Sequence, residues 1–503
     1  MAEKSPDNQF LDTPQVNAGL RFRVVRGGFW VFVLRITTWL FGLVRTIILA
    51  RLLAPADFGV FGIALLAMSA LQTFSRTGFG AALVQKKEDT EFYLDTAWTV
   101  QVIRGVVLGL IAFALAPYVA AFFDAPAAKP ILQVIAFSVL LGGLGNIGLS
   151  YFQKELEFHK TFVYELSGTL ADIGVAIPAA FILRSVWALV FGLLARTIVQ
   201  IVLSYFIHPY RPRPRFNWQQ FKELFGFGKW ILASSIVVFL ATQGDDAFLC
   251  KILGASALGL YQVAFRFANL PGSEIGVLSR VAFPAYSKLQ DNIPKLRDAY
   301  LRMMRFVSFL SIPLGGGIFM LGPAFTHIFL GDKWMPMVPA LRILAISGII
   351  GVINSPAGSA FNALGKPHLS FVVLLTRVIT LAGAIYPLAL LWGMSGVAVA
   401  VLLSSCSSFP VIVTGLSKVV GLKMRDLLKA CSCPLLAVIV MIIGVYVLGN
   451  IFDQFQSIWF LISVLFGMLT YLGVVFISQK ELDYPISEDI RLILNSLKSK
   501  AKA

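Results

Sequence analysis

Residues Arg45 to Lys87 read RTIILARLLAPADFGVFGIALLAMSALQTFSRTGFGAALVQKK. An apolar run ends at Arg51-Leu52-Leu53, and Ala54-Pro55-Ala56-Asp57 cannot continue it as a helix, because proline removes a donor and clashes with the preceding turn. Asp57 is the expected N-cap of a second helix, apolar from Phe58 to about Val84 and long enough to cross a bilayer. Arg35, Arg45 and Arg76 sit within these two spans, where hydrocarbon would penalise them. The rest of the chain repeats this pattern of apolar span, tight bend and embedded cation.

The 503 residues are 57% hydrophobic and 14% charged, against about 25% charged in an average soluble domain. The mean hydropathy is +0.80. Apolar runs of about 20 residues recur from end to end, which predicts an all-α polytopic membrane protein of about 14 transmembrane helices. The polar stretch Met1–Leu20 lacks an apolar segment and is expected to be a tail rather than a cleaved signal. Cys250, Cys406, Cys431 and Cys433 form neither a disulfide framework nor a zinc pattern.

A net charge of +16 would suggest nucleic acid in a soluble chain. Here the positive residues are sorted by loop. With the N-terminus in the cytoplasm, about two-thirds of the 42 Lys and Arg fall in the tails and cytoplasmic loops, as the positive-inside rule requires. These loops carry Lys86-Lys87, Lys154, Lys160, Arg211, Arg213 and Arg215, Arg280 through Arg305, and Lys418 through Lys429. Outer loops such as Trp392-Gly393-Met394-Ser395 are short and nearly uncharged. The organisation expected is a cytoplasmic tail (1–24), an N-lobe of six spans (25–207), a basic linker (208–225) and a C-lobe of six spans (226–416). A cytoplasmic loop (417–432), two further spans (433–478) and a cytoplasmic tail (479–503) follow. The linker His208-Pro-Tyr-Arg-Pro-Arg-Pro-Arg215 is expected to be stiff and to touch anionic headgroups.

Shifted by 200 residues, Arg51-Leu-Leu-Ala-Pro-Ala-Asp-Phe-Gly-Val-Phe-Gly-Ile-Ala64 lies on Lys251-Ile-Leu-Gly-Ala-Ser-Ala-Leu-Gly-Leu-Tyr-Gln-Val-Ala264 without a gap. Six spans separate the copies, so both have the same membrane orientation. That predicts a parallel repeat: two six-helix lobes related by a pseudo-two-fold along the membrane normal, with the substrate site between them and two extra C-terminal helices outside the repeat.

Nine cations fall within spans: Arg35, Arg45, Arg76, Arg104, Arg196, Lys229, Arg266, Arg342 and Arg377. Each would cost about 2.5–3.5 kcal/mol facing lipid at mid-depth. Together they would exceed ~20 kcal/mol, more than a typical folding free energy. Lys229 and Arg342 lie near span ends and can snorkel. For the others two readings stand: an arginine bonds backbone carbonyls at a broken helix, or the group lines a hydrated cavity. Acidic residues at comparable depth are few, namely Asp172, Asp245, Asp246 and Glu274, with Asp95 and Glu165 near helix starts. The cationic surplus favours the cavity. Guanidinium stays ionised and binds phosphate through two parallel bonds, so the implied ligand is a phosphate or pyrophosphate.

The breaks Ala268-Asn-Leu-Pro-Gly-Ser-Glu274 and Ile353-Asn-Ser-Pro-Ala-Gly-Ser359 are expected to interrupt two spans, either as simple proline kinks or lining water. Asp245 and Asp246 point about 100° apart on a helix. Either one of them couples transport to an ion, or the pair bonds an arginine of the other lobe, with Arg45 opposite Asp245 in the repeat register. No P-loop, HExxH or GxSxG motif is present, and His159, His208, His327 and His368 form no ligand cluster. Neither an enzyme nor a cofactor is expected.

Arg51-Leu-Leu-Ala-Pro-Ala-Asp-Phe-Gly-Val-Phe61, Gly78-Phe-Gly-Ala-Ala-Leu-Val-Gln85, Tyr151-Phe-Gln-Lys-Glu-Leu-Glu-Phe158 and Asn362-Ala-Leu-Gly-Lys-Pro367 resemble the bacterial polysaccharide (O-antigen/exopolysaccharide-type) flippases of the multidrug/oligosaccharidyl-lipid/polysaccharide exporter superfamily. The resemblance implies a multi-pass protein of the bacterial inner membrane. Such proteins move polyprenyl-pyrophosphate-linked oligosaccharide from the cytoplasmic to the periplasmic leaflet by alternating access. It further implies a monomer, in contact with membrane lipids and other polysaccharide-assembly membrane proteins. Arg35 and Arg45 occupy the position of cavity-lining arginines in that family, and Arg76 stands where relatives often carry an acidic residue. A multidrug or cation antiporter of the same superfamily is the first alternative, and would want an acidic cavity with aromatics. A membrane polymerase or ligase of lipid-linked glycans is the second, and would want a sizeable outer loop bearing catalytic groups.

Overall fold

The computed structural model describes residues 33–34, 36–75, 91–149, 152, 157–451, 457–479, 481–482 and 484–487. Side chains at 91–92, 158, 219–234, 273–281 and 451 are also outside the description. Arg35, Arg76, Lys86-Lys87, Lys154 and the Gly78–Gln85 motif therefore lie outside the described residues, as do the side chains of Lys229 and Glu274.

The helices in order are α1 (36–52), α2 (Pro55–Phe74), α3 (Glu91–Phe122), α4 (Ala128–Gly143), α5 (Phe158–Leu183), α6 (Trp187–Ile207) and α7 (Trp218–Ala268). They continue with α8 (Leu270–Lys288), α9 (Ile293–Phe325), α10 (Val338–Ala363), α11 (Pro367–Val420), α12 (Met424–Ile451) and α13 (Ser457–Ser478). Among the described residues ten helices are long and apolar enough to cross a membrane, and no strand occurs.

Two of the ten are hairpins. In a continuous helix, residues 16 apart are about 24 Å apart along the axis. In α7 the Tyr261 hydroxyl nevertheless donates to Asp245 at 2.8 Å, and Gln262 Nε2 to Asp246 at 2.8 Å. The chain folds back at Gly254, whose φ of 82° and ψ of 176° only glycine adopts without strain. α11 turns likewise at Trp392-Gly393 (φ 56° at Gly393), so tightly that Gly396 packs against the Leu388 carbonyl. Counting both arms of each hairpin, together with α1 and the shorter α4, the described helices account for the fourteen spans that the hydropathy predicts.

The chain divides into two compact units, Met1–Ile236 and Val237–Ala503. In the first, α3 and α4 meet backbone to backbone. A Cβ added at Gly105 would lie 2.8 Å from the Gly143 Cα, the small-residue contact by which membrane helices approach closely. Gln101 Nε2 locks the pair by donating to the carbonyls of Gly143 and Gly145 at 3.1 and 2.9 Å. In the second unit, Tyr286, Tyr300, Met304, Phe361 and Leu416 are buried together between α8, α9, α10 and α11. α13 and the segment that follows it attach to α9: Tyr471 and Tyr484 donate to the carbonyls of Phe309 and Arg305 at 2.8 and 2.6 Å.

Burial follows the 200-residue register. Leu49 and Leu249, Ala50 and Cys250, Ile63 and Val263, and Ala64 and Ala264 are all buried. The bend falls at Ala54 in one copy and at Gly254 in the other.

Three expectations need correction. Asp57 is not the N-cap of α2. Ala54 holds that position with Pro55 at the first helical residue, and Asp57 reaches back from the first turn to accept from Ala54 N at 2.9 Å. Its other oxygen accepts from Val186 N at 3.1 Å, at the start of α6. Second, α2 ends at Phe74 rather than near Val84, with Ser75 as C-cap. Third, the 353–359 stretch does not interrupt its span. α10 runs through Pro356 unbroken, with Asn354 donating to the Ser405 carbonyl and Ser408 hydroxyl of α11 at 3.2 and 3.0 Å. The break at 268–270 is present, where α7 gives way to α8 at Asn269.

Candidate functional site

In the first unit α5 carries two carboxylates seven residues apart, Glu165 and Asp172, and therefore on one face. Each meets an arginine from a neighbouring helix. Arg45 on α1 pairs with Asp172: Nη2 donates to Oδ1 at 2.9 Å, and Nε lies 2.7 Å from Oδ2 as an ionic contact. Both side chains are largely enclosed, at 13% and 12% exposure. Room for the carboxylate comes from α6, where a Cβ at Gly192 would stand 2.3 Å from Asp172 Oδ1.

One level along α5, Arg196 Nη2 donates to Glu165 Oε2 at 2.8 Å, and this pair is more open, at 39% and 36% exposure. Gln200, one turn beyond Arg196, reaches the same oxygen at 3.4 Å.

Arg104 on α3 serves the end of α2. Its Nη2 donates to the Gln72 carbonyl at 2.9 Å and to the Ser75 hydroxyl at 3.1 Å, and Nε donates to that hydroxyl at 3.2 Å. The last carbonyls of a helix have no partner within it, and a cation there also suits the helix dipole. For Arg104 the carbonyl-bonding reading is the one observed, and it explains why α2 stops where it does.

The second unit places the acidic pair at the α7 hairpin. Asp245 is buried and accepts from the fully buried Tyr261, while Asp246 accepts from Gln262. Arg377 lies on the first arm of α11. Its Nε finds no hydrogen-bond partner among the described residues. Arg266, one turn beyond Gln262, is exposed. Arg342 rests at a helix end, donating to the Phe319 carbonyl at 3.1 Å with its guanidinium over the Phe319 ring.

The pairing of acids with cations becomes specific here: among the described residues Asp172 serves Arg45 and Glu165 serves Arg196. Arg45 and Asp245 also each find a partner within their own unit, Asp172 for one and Tyr261 for the other. Tyr261, Gln262, Gln200 and Gly192 were missed. Gln262 was legible in principle, since it stands as far after the Gly254 bend as Asp246 stands before it, and Tyr261 is its neighbour.

Helices across the described residues, repeated burial at an offset of 200 and charged groups paired between helices define a multi-pass all-α membrane protein. Its fold matches that of the lipid II flippase MurJ in an inward closed conformation, with a TM-score of 0.73 at 18% identity, over 91% of this chain and 99% of that one. The chain belongs to the polysaccharide biosynthesis protein family, whose profile matches residues 48–339, more than half its length. It is 27% identical over 355 residues to the lipopolysaccharide biosynthesis protein WzxC of Escherichia coli (strain K12), covering 70% of this chain and 72% of that protein. It is 29% identical over 297 residues to the teichuronic acid biosynthesis protein TuaB of Bacillus subtilis (strain 168), covering 58% and 62%. The resemblance carried by Arg51–Phe61 is borne out.

Proposed function

We propose that this protein is a flippase that moves a polyprenyl-pyrophosphate-linked oligosaccharide from the cytoplasmic to the periplasmic leaflet of the bacterial inner membrane. It works by alternating access, without catalysis, and feeds cell-surface polysaccharide assembly. Both termini are cytoplasmic. The observation that carries the reading is the family match over residues 48–339, and the MurJ-like fold over 91% of the chain supports it. The relatives' names span lipopolysaccharide and teichuronic acid, which supports a role not tied to one sugar.

In this reading the arginines have different tasks. Arg196 receives the pyrophosphate first: it is half-exposed, and its bond to Glu165 is a single one that a phosphate can displace. Arg45 and Asp172 form the deeper pair, exchanged during the cycle. Arg35 and Arg76 are the further candidate phosphate ligands of the first unit, and Arg266 and Arg377 those of the second. Asp245 and Asp246, with Glu274, couple the cycle to an ion.

Arg196→Gln in a strain lacking the chromosomal gene tests this. The expected result is loss of surface glycan while the protein's level in the membrane stays normal. Glycan unchanged at equal protein level would contradict the assignment of Arg196.

A further inference from the structure

The segment His208–Trp218 joins α6 to α7 and does more than connect them. Its backbone N–H groups at Arg213, Arg215 and Asn217 donate to Asp95, Thr99 and Thr96 on the first turns of α3, at 3.1, 3.1 and 3.3 Å. The Tyr210 hydroxyl also donates to Asp95, and the Tyr210 carbonyl accepts from Asn146 Nδ2 at 2.8 Å. Every second residue thus hangs from α3. Pro212 and Pro214 fill the intervening positions, where an extended chain's N–H would point away and have no partner. The strap is therefore pinned at every alternate N–H.

Pinning the alternate residues sets Arg213 and Arg215 about 6–7 Å apart on the strap, with Arg211 two residues before them. All three are exposed. Arg211 spends one nitrogen on the carbonyls of His208 and Tyr210. The guanidinium groups of Arg213 and Arg215 face no carboxylate among the described residues. At the end of the strap, Phe216 and Trp218 stand exposed with ring centroids 6.1 Å apart. A pinned strap of guanidinium groups closed by two exposed aromatics, directly at the ends of two membrane spans, has the chemistry of a headgroup-level contact.

We propose that this strap is a binding strip for the phosphates of anionic lipids in the cytoplasmic leaflet, holding the N-terminal turns of α3 and the start of α7 at the headgroup level. The side of the membrane rests on the topology proposed above; the lipid chemistry does not.

The test uses the full chain in nanodiscs of equal phosphatidylglycerol and phosphatidylcholine, with retained lipids counted by native mass spectrometry. The wild type should retain phosphatidylglycerol preferentially. The Arg211→Gln/Arg213→Gln/Arg215→Gln variant should lose that preference by roughly tenfold or more while melting as the wild type does. Asp95→Ala, which keeps every arginine but releases the strap, should lose part of it. Unchanged preference in the triple variant overturns the proposal, and unchanged preference in Asp95→Ala overturns the role of pinning. Displacement of phosphatidylglycerol from the wild type by inorganic pyrophosphate would assign the strip to free phosphate instead. Separately, Arg213→Cys should escape an impermeant maleimide added to intact cells. Labelling there would overturn the cytoplasmic placement and leave the lipid result standing.

Discussion

Arg45 and Asp172 set the terms at the scale of single residues. A guanidinium and a carboxylate this enclosed tolerate each other because each supplies what desolvation took from the other, and removing one strands its partner. The pocket exists because Gly192 has no side chain. Gly192→Ala would drive a methyl to 2.3 Å from Asp172 Oδ1 and 2.7 Å from the Ala176 Cβ. The expected cost is about 1–3 kcal/mol, read as a lower melting temperature of the purified protein in detergent; an unshifted melt would mean that α6 can yield. These pairings were only half legible in the sequence. Hydropathy placed the acids and the arginines in spans, but which arginine meets which acid depends on the rotation of each helix about its own axis. An all-apolar helix surface encodes that rotation weakly. The seven-residue spacing of Glu165 and Asp172 was the available clue.

Among elements, the bends decide the architecture. Asp57 accepts at the start of α2 with one oxygen and at the start of α6 with the other, so one side chain satisfies two helix N-termini. Asp57→Ala should therefore cost more than a single cap, about 1 kcal/mol at each end. The measurement is denaturation of the purified chain beside Asn292→Ala, which removes one N-cap bond, to Lys295 N; equal destabilisation of the two would contradict the double role. At Gly254 the backbone occupies a region closed to other residues. Gly254→Ala is expected to destabilise the α7 hairpin by about 1–3 kcal/mol. Its repeat counterpart, Ala54, has an ordinary extended conformation (φ −80°, ψ 156°), so Ala54→Gly should cost no more than a few tenths to about 1 kcal/mol. A comparable loss at both positions would contradict the account of the bend. The register of 200 residues was readable from sequence, yet the different means of turning at its two copies was not. One copy turns through proline after the bend and the other through glycine in it. The Ile353–Ser359 stretch shows the converse. Proline and serines suggested a break, but α10 stays helical because Asn354 and the serines of α11 bond across to each other.

For the whole molecule, fold class and family were legible because a bilayer admits few solutions: apolar length, alternating loop charge and a repeat of even span number leave little choice. Substrate and coupling were not, since they rest on a few side chains whose surroundings no periodicity records. The central claim is transport of a lipid-linked glycan, and its most direct measurement is in proteoliposomes. The purified chain would be reconstituted with a fluorescent polyprenyl-pyrophosphate oligosaccharide, and an impermeant quencher added outside. The account predicts that the chain raises the quenchable fraction well above the outer-leaflet share found in protein-free vesicles, and that Arg196→Gln returns it to that share. A quenchable fraction equal to that of protein-free vesicles, with the chain folded and inserted, would contradict it.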